Sequence, residues 1–156
     1  MATEGWTVDL DTPTRPDVAE LLRVHEALMR AQTPQDSCHV KSADALSTSG
    51  ARIFSLRDGS QLMAVGALAP IERGHEELKS MHVLAEARGR GAGQALLEGM
   101  LADARGRKVV RISLETGSGQ DHDAARMLYA RAGFTTCGPY AGYADDPLSV
   151  FMTRTL

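Results

Sequence analysis

The sequence predicts an α+β (mixed α/β) domain in which a mostly antiparallel sheet of about seven strands is flanked by helices. The turn Asp58-Gly59-Ser60 separates two apolar runs, which is a strong signal of a β-hairpin. A third strand pattern follows after a second turn, so three consecutive strands should form a meander. One helical pattern then separates two later strands, which indicates a parallel crossover. With no repeat or low-complexity linker, residues 1–156 are expected to form one domain.

The N-terminal third of the chain contains a strand, a helix and a polar loop. Alternating apolar residues predict a half-buried strand over 5–11. Apolar residues at helical spacing predict an amphipathic helix over 17–30, with His25 packed on its apolar face. The polar segment 32–50 is expected to be a loop with a short helix at 42–46, forming one wall of a substrate cleft.

The same two periodicities assign the remaining elements. The predicted strands cover 52–57, 62–69, 77–84, 108–115, 134–137 and 148–156. The predicted helices are 92–104 and a helix that is capped by Asp121 or Asp123 and stopped by Gly133. Turns and loops are expected at 70–75, 85–90, 116–120 and 138–147.

Composition is that of a soluble globular protein and argues against several classes of partner. Hydrophobic residues make up 43% of the chain and charged residues 24%. The net charge of −3 argues against a nucleic acid or an anionic membrane surface as the main partner. Two cysteines, Cys38 and Cys137, are too few for a disulfide framework. Without an apolar run of about 20 residues or a basic N-terminal region, the expected location is the cytoplasm.

Residues 77–93 (ELKSMHVLAEARGRGAG) combine a strand, a short turn and a glycine-rich entry into a helix. The glycines are Gly89, Gly91 and Gly93. They let backbone N–H groups approach an anion, and the helix N-terminus adds partial positive charge. Arg88 and Arg90 add two full charges, so the stretch is predicted to bind a pyrophosphate.

Two common phosphate-binding fingerprints do not fit this stretch. Counting G-x-G-x-x-G from Gly89 or Gly91 places Gln94 or Leu96 where the last glycine should be. A Walker loop needs a Lys-Ser or Lys-Thr pair, and none follows these glycines. The spacing that remains is V-x-x-x-x-R-x-x-G-x-G.

That spacing resembles the acetyl-coenzyme A motif of the GNAT N-acetyltransferase superfamily. Its residues are Val83, Arg88, Gly91 and Gly93. The sequence LYARAGF at 128–134 is similar to the family's L-Y-x-x-x-G-F signature, and the order of elements resembles the GNAT fold over nearly the whole chain. The stretches SLETG, PYAGY and SVFMT further resemble a subgroup of small bacterial members.

The resemblance implies an acetyl-CoA-dependent N-acetyltransferase that uses no metal. The residues expected to bind the coenzyme are Met81, His82, Val83, Arg88, Gly89, Arg90, Gly91, Ala92, Gly93 and Gln94. Regular alternation would place the His82 side chain opposite those of Glu77 and Val83, and a β-bulge would break that parity. His122 stands where the family often has asparagine, and its imidazole is expected to donate to the pantetheine or phosphate.

Glu77 is the predicted general base. An amine with a pKa of about 10.4 must lose a proton before it attacks a thioester. Glu77 lies eleven residues before Arg88, similar to the catalytic glutamate of some histone-type members, and the strand to Val83 spans roughly 20 Å, about the reach of a pantetheine arm. The alternatives are a solvated glutamate or an ion pair with Lys79 or Arg52. Lesser candidates for the base are Glu76 and Glu115.

Tyr129 is predicted, by its place in the second motif, to give a proton to the leaving thiolate. The alternative is an aromatic residue that only packs in the core. The loop residues Tyr140 and Tyr143, with His39, are expected to contact the acceptor, which should be a primary amine of a small molecule or peptide. Spacing supports no metal site. A non-catalytic acyl-CoA-binding module and an O-acyl or longer-chain acyltransferase stay open, as does a monomer or homodimer.

Overall fold

Seven strands form one sheet in the computed structural model, which describes residues 4–156, so the first three residues of the predicted domain lie outside the described part. The strands are β1 (Trp6–Asp11), β2 (Arg52–Asp58), β3 (Gln61–Glu72), β4 (His75–Val83), β5 (Arg111–Gly117), β6 (Thr135–Cys137) and β7 (Ser149–Thr155). The helices are α1 (Pro16–Gln32), α2 (Ala43–Thr48), α3 (Ala92–Gly106) and α4 (Asp123–Arg131). None of the helices described is long and apolar enough to cross a membrane.

The strand order is β1-β2-β3-β4-β5-β7-β6, with β1 to β4 in an antiparallel meander. Strands β4 and β5 run parallel, joined by α3 as a crossover, and β7 pairs antiparallel with both β5 and β6. The predicted α+β class and mostly antiparallel sheet are therefore confirmed.

The two faces of the sheet carry separate cores. Helices α1 and α2 cover one face, where Val18 and Leu46 pack on Val65 and Ala67. Helices α3 and α4 cover the other face in a larger cluster. That cluster includes Leu68, Leu78, Leu96, Met100, Leu114, Tyr129, Phe134 and Met152. Burial of these apolar side chains on both sides is the main force that holds the sheet in place.

A β-bulge interrupts β4 at its centre. Ala67 of β3 pairs with Lys79, but Val65, two residues away, pairs with His82, so β4 has an extra residue between them. Ser80 takes up the distortion with a φ of 54°. The bulge places the His82 side chain on the α1 face together with Lys79. Regular alternation would have placed the two side chains on opposite faces, and a bulge was the exception considered from the sequence.

Strands β4 and β5 separate shortly before the bulge. Their pairing runs from His75 opposite Arg111 to Leu78 opposite Leu114, while β4 continues to Val83 and β5 to Gly117. Beyond Leu78, the edge of β4 that faces β5 therefore has no strand partner. The gap opens a cleft between the two strands at the C-terminal end of both.

Three local predictions need correction. The turn expected at 70–75 begins later, because β3 continues through Pro70, where β2 no longer runs beside it and the missing N–H is tolerated. Strand β5 starts at Arg111 and not at residue 108, because Lys108 adopts a φ of 66° and Val109 bonds back to α3. Helix α4 begins after a short 3₁₀ turn, and neither predicted aspartate caps it through its side chain.

Candidate active site

The gap between β4 and β5 opens into a cleft with a volume of about 550 Å³, in the range of small-molecule sites. One wall is formed by the end of α1 and by residues 33–40, and the opposite wall by the start of α4. Because the cleft passes through the split in the sheet, side chains from both faces meet in it. One end lies at Arg88, directly before residues 89–94, and the other at Lys79 and Glu115. They are called the phosphate end and the acceptor end after the roles expected from the sequence.

The phosphate end is built from backbone N–H groups. Gly89 and Gly91 have φ values of 78° and 84°, which an L side chain rarely adopts, and α3 begins directly after Gly91 without a side-chain cap. The N–H groups from Gly89 to Gln94 donate to no other group within residues 4–156. Together with the helix dipole, these unpaired donors favour an anion at this position.

Gly93 has a different role from the other two glycines. A Cβ at this position would lie 3.3 Å from Leu128 Cδ2 and 3.5 Å from Val83 Cγ2. The absent side chain therefore lets the first turn of α3 pack closely between β4 and α4.

The two arginines of the motif point in different directions. Arg88 lines the cleft, so its guanidinium is available to an anion held there. Arg90 does not line the cleft: its Cζ lies 5.6 Å from the Trp6 ring centroid, and Nη2 lies 3.9 Å from a carboxylate oxygen of Asp58. The Arg90 side chain thus fastens the loop to the β1–β2 edge, and the coenzyme-binding prediction for it rests on its backbone N–H.

A buried pair of histidines lies beside the middle of the cleft. The Nδ1 atoms of His25 on α1 and His82 on β4 are 3.0 Å apart, so one ring donates and the other accepts. Burial, with smaller effects of the neighbouring histidines, lowers the pKa of His25 to about 4. Burial also lowers the pKa of His82, and Arg88 adds to that effect. Both rings are therefore neutral at pH 7, and the expected packing of His25 is observed.

His122 lies on the wall opposite α1, just before α4. Its ring packs against Gly117 so closely that a Cβ on residue 117 would overlap it. Gly117 thus gives the ring room to stand at the cleft. Met81 and Val83 complete this middle section.

Tyr129 reaches the cleft from the α4 side. Its ring stacks edge-on against Phe134 at a centroid distance of 5.9 Å, and the residue is buried in the larger core. The side chain both packs in the core and lines the cleft. Burial raises the pKa of its hydroxyl, so Tyr129 keeps its proton at neutral pH.

Glu77 is held in a network of hydrogen bonds behind the cleft. Tyr140 and Tyr143 both donate to its Oε2, at 2.8 and 2.6 Å, and Lys79 Nζ lies 3.5 Å from the same oxygen. The Lys79 ammonium also donates to the Tyr143 hydroxyl at 2.9 Å. His39 stacks edge-on against Tyr143. Glu77 does not line the cleft, and neither tyrosine does.

Glu115 lines the acceptor end and lies on the same face of the sheet as Glu77. Burial raises the pKa of its carboxyl to about 7, with smaller increases from Glu77 and Asp146 that Lys79 opposes. Glu115 thus has the proton affinity that suits a base near neutral pH.

Seven of the sixteen site residues predicted from the sequence line the cleft, while Glu77, Tyr140, Tyr143 and residues 89–94 do not. Those that line the cleft are His39, Met81, His82, Val83, Arg88, His122 and Tyr129. Sequence reasoning missed the cleft-lining Lys79, Met29, Cys38 and Leu148. No group of three or more His, Cys, Asp or Glu residues suited to a metal ion occurs in the described part.

Comparisons with known proteins agree with this geometry. Residues 18–134 match the model of the acetyltransferase (GNAT) family. An uncharacterized N-acetyltransferase, YsnE of Bacillus subtilis (strain 168), is 34% identical, with 96% of this chain and 99% of that protein covered. Another, YedL of Escherichia coli (strain K12), is 35% identical, with 97% and 95% covered.

Solved structures are similar over almost the whole chain. A protein from Klebsiella pneumoniae described as an acyl-CoA N-acyltransferase has a TM-score of 0.78 and 30% identity, covering 97% of both chains. A GNAT family acetyltransferase from Elizabethkingia anophelis, solved with acetyl-CoA bound, has a TM-score of 0.73 and covers 99% of this chain. At 17% identity, the second likeness concerns the fold alone.

The buried histidine pair predicts acid-sensitive stability. His25 is neutral in the folded protein down to about pH 4, whereas an unfolded histidine takes up a proton below about pH 6.5. The unfolded state therefore binds more protons between these values, and the free energy of unfolding should fall by about 3 kcal/mol as the pH falls from 6.5 to 4.

Urea unfolding at pH 7.5, 5.5 and 4.5 measures this loss. The double variant His25→Leu/His82→Leu removes both titrating rings without leaving an unpaired partner, and its stability should change less over the same window. An equal loss in wild type and double variant would contradict the assignment.

Proposed function

This chain belongs to the acetyltransferase (GNAT) family, and from that premise we propose that residues 1–156 form one domain that transfers an acetyl group from acetyl-CoA to a primary amine of a small molecule or peptide. The observation that carries the proposal is the cleft itself. It leads from Arg88, beside the backbone anion site, to a half-buried carboxylate and a buried phenol, as transfer from a coenzyme thioester requires.

The phosphate end fits the diphosphate of the coenzyme. Six successive N–H groups without partners in the described chain, the N-terminus of α3 and the Arg88 guanidinium all favour an anion. Beyond Leu78, the edge of β4 that faces β5 offers backbone donors and acceptors. The amides of a pantetheine arm can pair with this edge as an added strand.

Glu115 is the group that takes the proton from the amine. It lines the acceptor end, and its pKa of about 7 lets it be unprotonated in a useful fraction of molecules at neutral pH. The neutral amine then attacks the carbonyl carbon of the thioester, and the carbon–sulfur bond breaks as the tetrahedral intermediate collapses. Tyr129 donates its proton to the departing sulfur. The nitrogen of the new amide loses its second proton to solvent, and solvent returns a proton to Tyr129, so the phenol is restored.

Glu77, the base expected from the sequence, is the alternative for the first step. Its Oε2 already accepts two phenolic hydrogen bonds, and the residue lies outside the lining of the cleft. These contacts support a role in holding the acceptor end together, with proton removal left to Glu115. The two carboxylates lie on one face of the sheet. The matched substitutions Glu115→Gln and Glu77→Gln can therefore show which of them removes the proton.

Thiol release from acetyl-CoA across a panel of amines tests the function. We expect release that depends on the acceptor. Arg88→Gln should weaken acetyl-CoA binding by about tenfold or more, because it removes a charge from the phosphate end. Arg90→Gln is the matched control and should change binding less, since its side chain points to Trp6 and Asp58.

Other outcomes of the panel would replace the proposal. Coenzyme binding with no release for any acceptor would indicate a non-catalytic acyl-CoA-binding module. Faster release from longer thioesters, or transfer only to alcohols, would indicate another acyltransferase.

Substitution of the two carboxylates should give different pH profiles. Glu115→Gln removes the base and should lower kcat by about 10² to 10⁴, with acetyl-CoA affinity kept. In wild type, kcat/KM should fall as the pH drops through about 7, because Glu115 becomes protonated, and this inflection should vanish in the variant. Glu77→Gln should keep the inflection. Loss of it in Glu77→Gln, with Glu115→Gln fully active, would return the role to Glu77.

Tyr129→Phe separates proton donation from packing. The change keeps the ring against Phe134 and removes only the hydroxyl, so stability should stay close to wild type while kcat falls by about 10². The loss should shrink for a thioester whose thiol has a lower pKa, since that leaving group needs less help. An unchanged kcat with both thioesters would leave Tyr129 a purely structural residue.

A further inference from the structure

We infer that the acceptor end of the cleft is a charge filter, which accepts small monocationic amines and rejects amines that carry a carboxylate beside the reacting nitrogen. The filter consists of the Lys79–Glu77 ion pair and Glu115. The inference rests on the proposed function, because it names the class of acceptor for the same site.

The two cationic residues of the cleft belong to different ends of it. Among the described residues, Arg88 and Lys79 are the only arginine and lysine that line it. Arg88 lies at the phosphate end, beside the free N–H groups, and is committed to the coenzyme. An acceptor carboxylate would therefore depend on Lys79 alone.

The Lys79 ammonium already has its partners. Nζ donates to the Tyr143 hydroxyl at 2.9 Å and lies 3.5 Å from Glu77 Oε2, and the side chain is only 7% exposed. Glu77 in turn is fixed by the hydroxyls of Tyr140 and Tyr143. The ammonium charge is thus neutralised inside the protein, and the Lys79–Glu77 pair has no net positive charge to attract an acceptor carboxylate.

The remaining charge at this end is negative. Glu115 carries a full charge whenever it is ready to act as a base, and Asp146 adds another near the surface. A carboxylate on the acceptor would meet Glu115 in a partly buried setting without a counter-charge, which is a costly juxtaposition. A single ammonium, in contrast, is attracted there and then gives its proton to Glu115.

The walls around these charges suit a hydrocarbon body. Leu28, Met29, Val40 and Leu148 line the cleft, and Leu148 is 43% exposed at the surface. The volume of about 550 Å³ must also hold the pantetheine arm, so the acceptor has to be small. An apolar body with one primary amine fits both limits.

Matched pairs of amino acids and their decarboxylated amines test the filter. Suitable pairs are phenylalanine with phenethylamine, tryptophan with tryptamine, and leucine with isopentylamine. At pH 8, where imidazoles are largely neutral, kcat/KM in thiol release with acetyl-CoA should favour the amine by about tenfold or more in each pair that reacts. The lower amine pKa of an amino acid works against this result, so the preference cannot come from amine basicity.

A charge swap inside the network provides the second arm. Glu77→Gln removes the counter-charge of Lys79 and leaves an ammonium that an acceptor carboxylate can pair with. The amine-to-amino-acid ratio should then fall to within about threefold, whatever the loss in overall rate. Glu76→Gln is the matched control, because Glu76 pairs with Arg107 on the α3 side of the same strand, and it should keep the wild-type ratio.

Three results would overturn the filter. These are equal or better kcat/KM for amino acids in wild type, a ratio that Glu77→Gln leaves at the wild-type value, and turnover of peptide amines with none of the pairs. In each of them acetyl-CoA is still consumed, so the proposed function stands. Absence of thiol release with every acceptor is the separate failure that removes the proposed function as well.

Discussion

The site depends on one constraint, the loss of pairing between β4 and β5 after Leu78 and Leu114. Two parallel strands that stay paired would bury their edges and leave no cleft. Here the bulge at Ser80 turns β4 away, and the freed edge can hydrogen-bond a ligand in place of a strand. Because of the same split, Tyr129 from the α3 and α4 side and Glu115 from the α1 and α2 side line one cleft.

The cleft that results is electrically polarised along its length. At one end, free N–H groups, the N-terminus of α3 and Arg88 favour a diphosphate. At the other end, the Lys79–Glu77 pair cancels and leaves Glu115 as the dominant charge. Between them lie His25 and His82, whose pKa values are lowered by burial, so this pair adds no charge at neutral pH.

Sequence reasoning succeeded where function depends on local geometry. The glycine motif needs a left-handed turn and a helix start at fixed positions, and both are found at Gly91 and Ala92. The fold class and the family were confirmed for the same reason, since hairpin signals and motif spacing are local. The hydrogen-bond partners of Glu77 could not be predicted from the sequence, because Tyr140 and Tyr143 are 63 and 66 residues away in the chain. The burial that raises the pKa of Glu115 likewise depends on segments joined only by the complete sheet.

The Glu77 network connects the charge at this end of the cleft to the position of a loop. Tyr140 and Tyr143 lie in the long connection between β6 and β7, and their rings pack on Phe151 of β7. Both hydroxyls donate hydrogen bonds to Glu77, so a single buried carboxylate anchors the loop and neutralises Lys79 at the same time. Hydrogen bonds to a buried charge are strong, and removing one partner leaves the others unsatisfied. A change in any member therefore alters the local charge and the position of the loop together. Family members with another residue at position 77 would need a different anchor for this loop, and with it a different charge at the acceptor end.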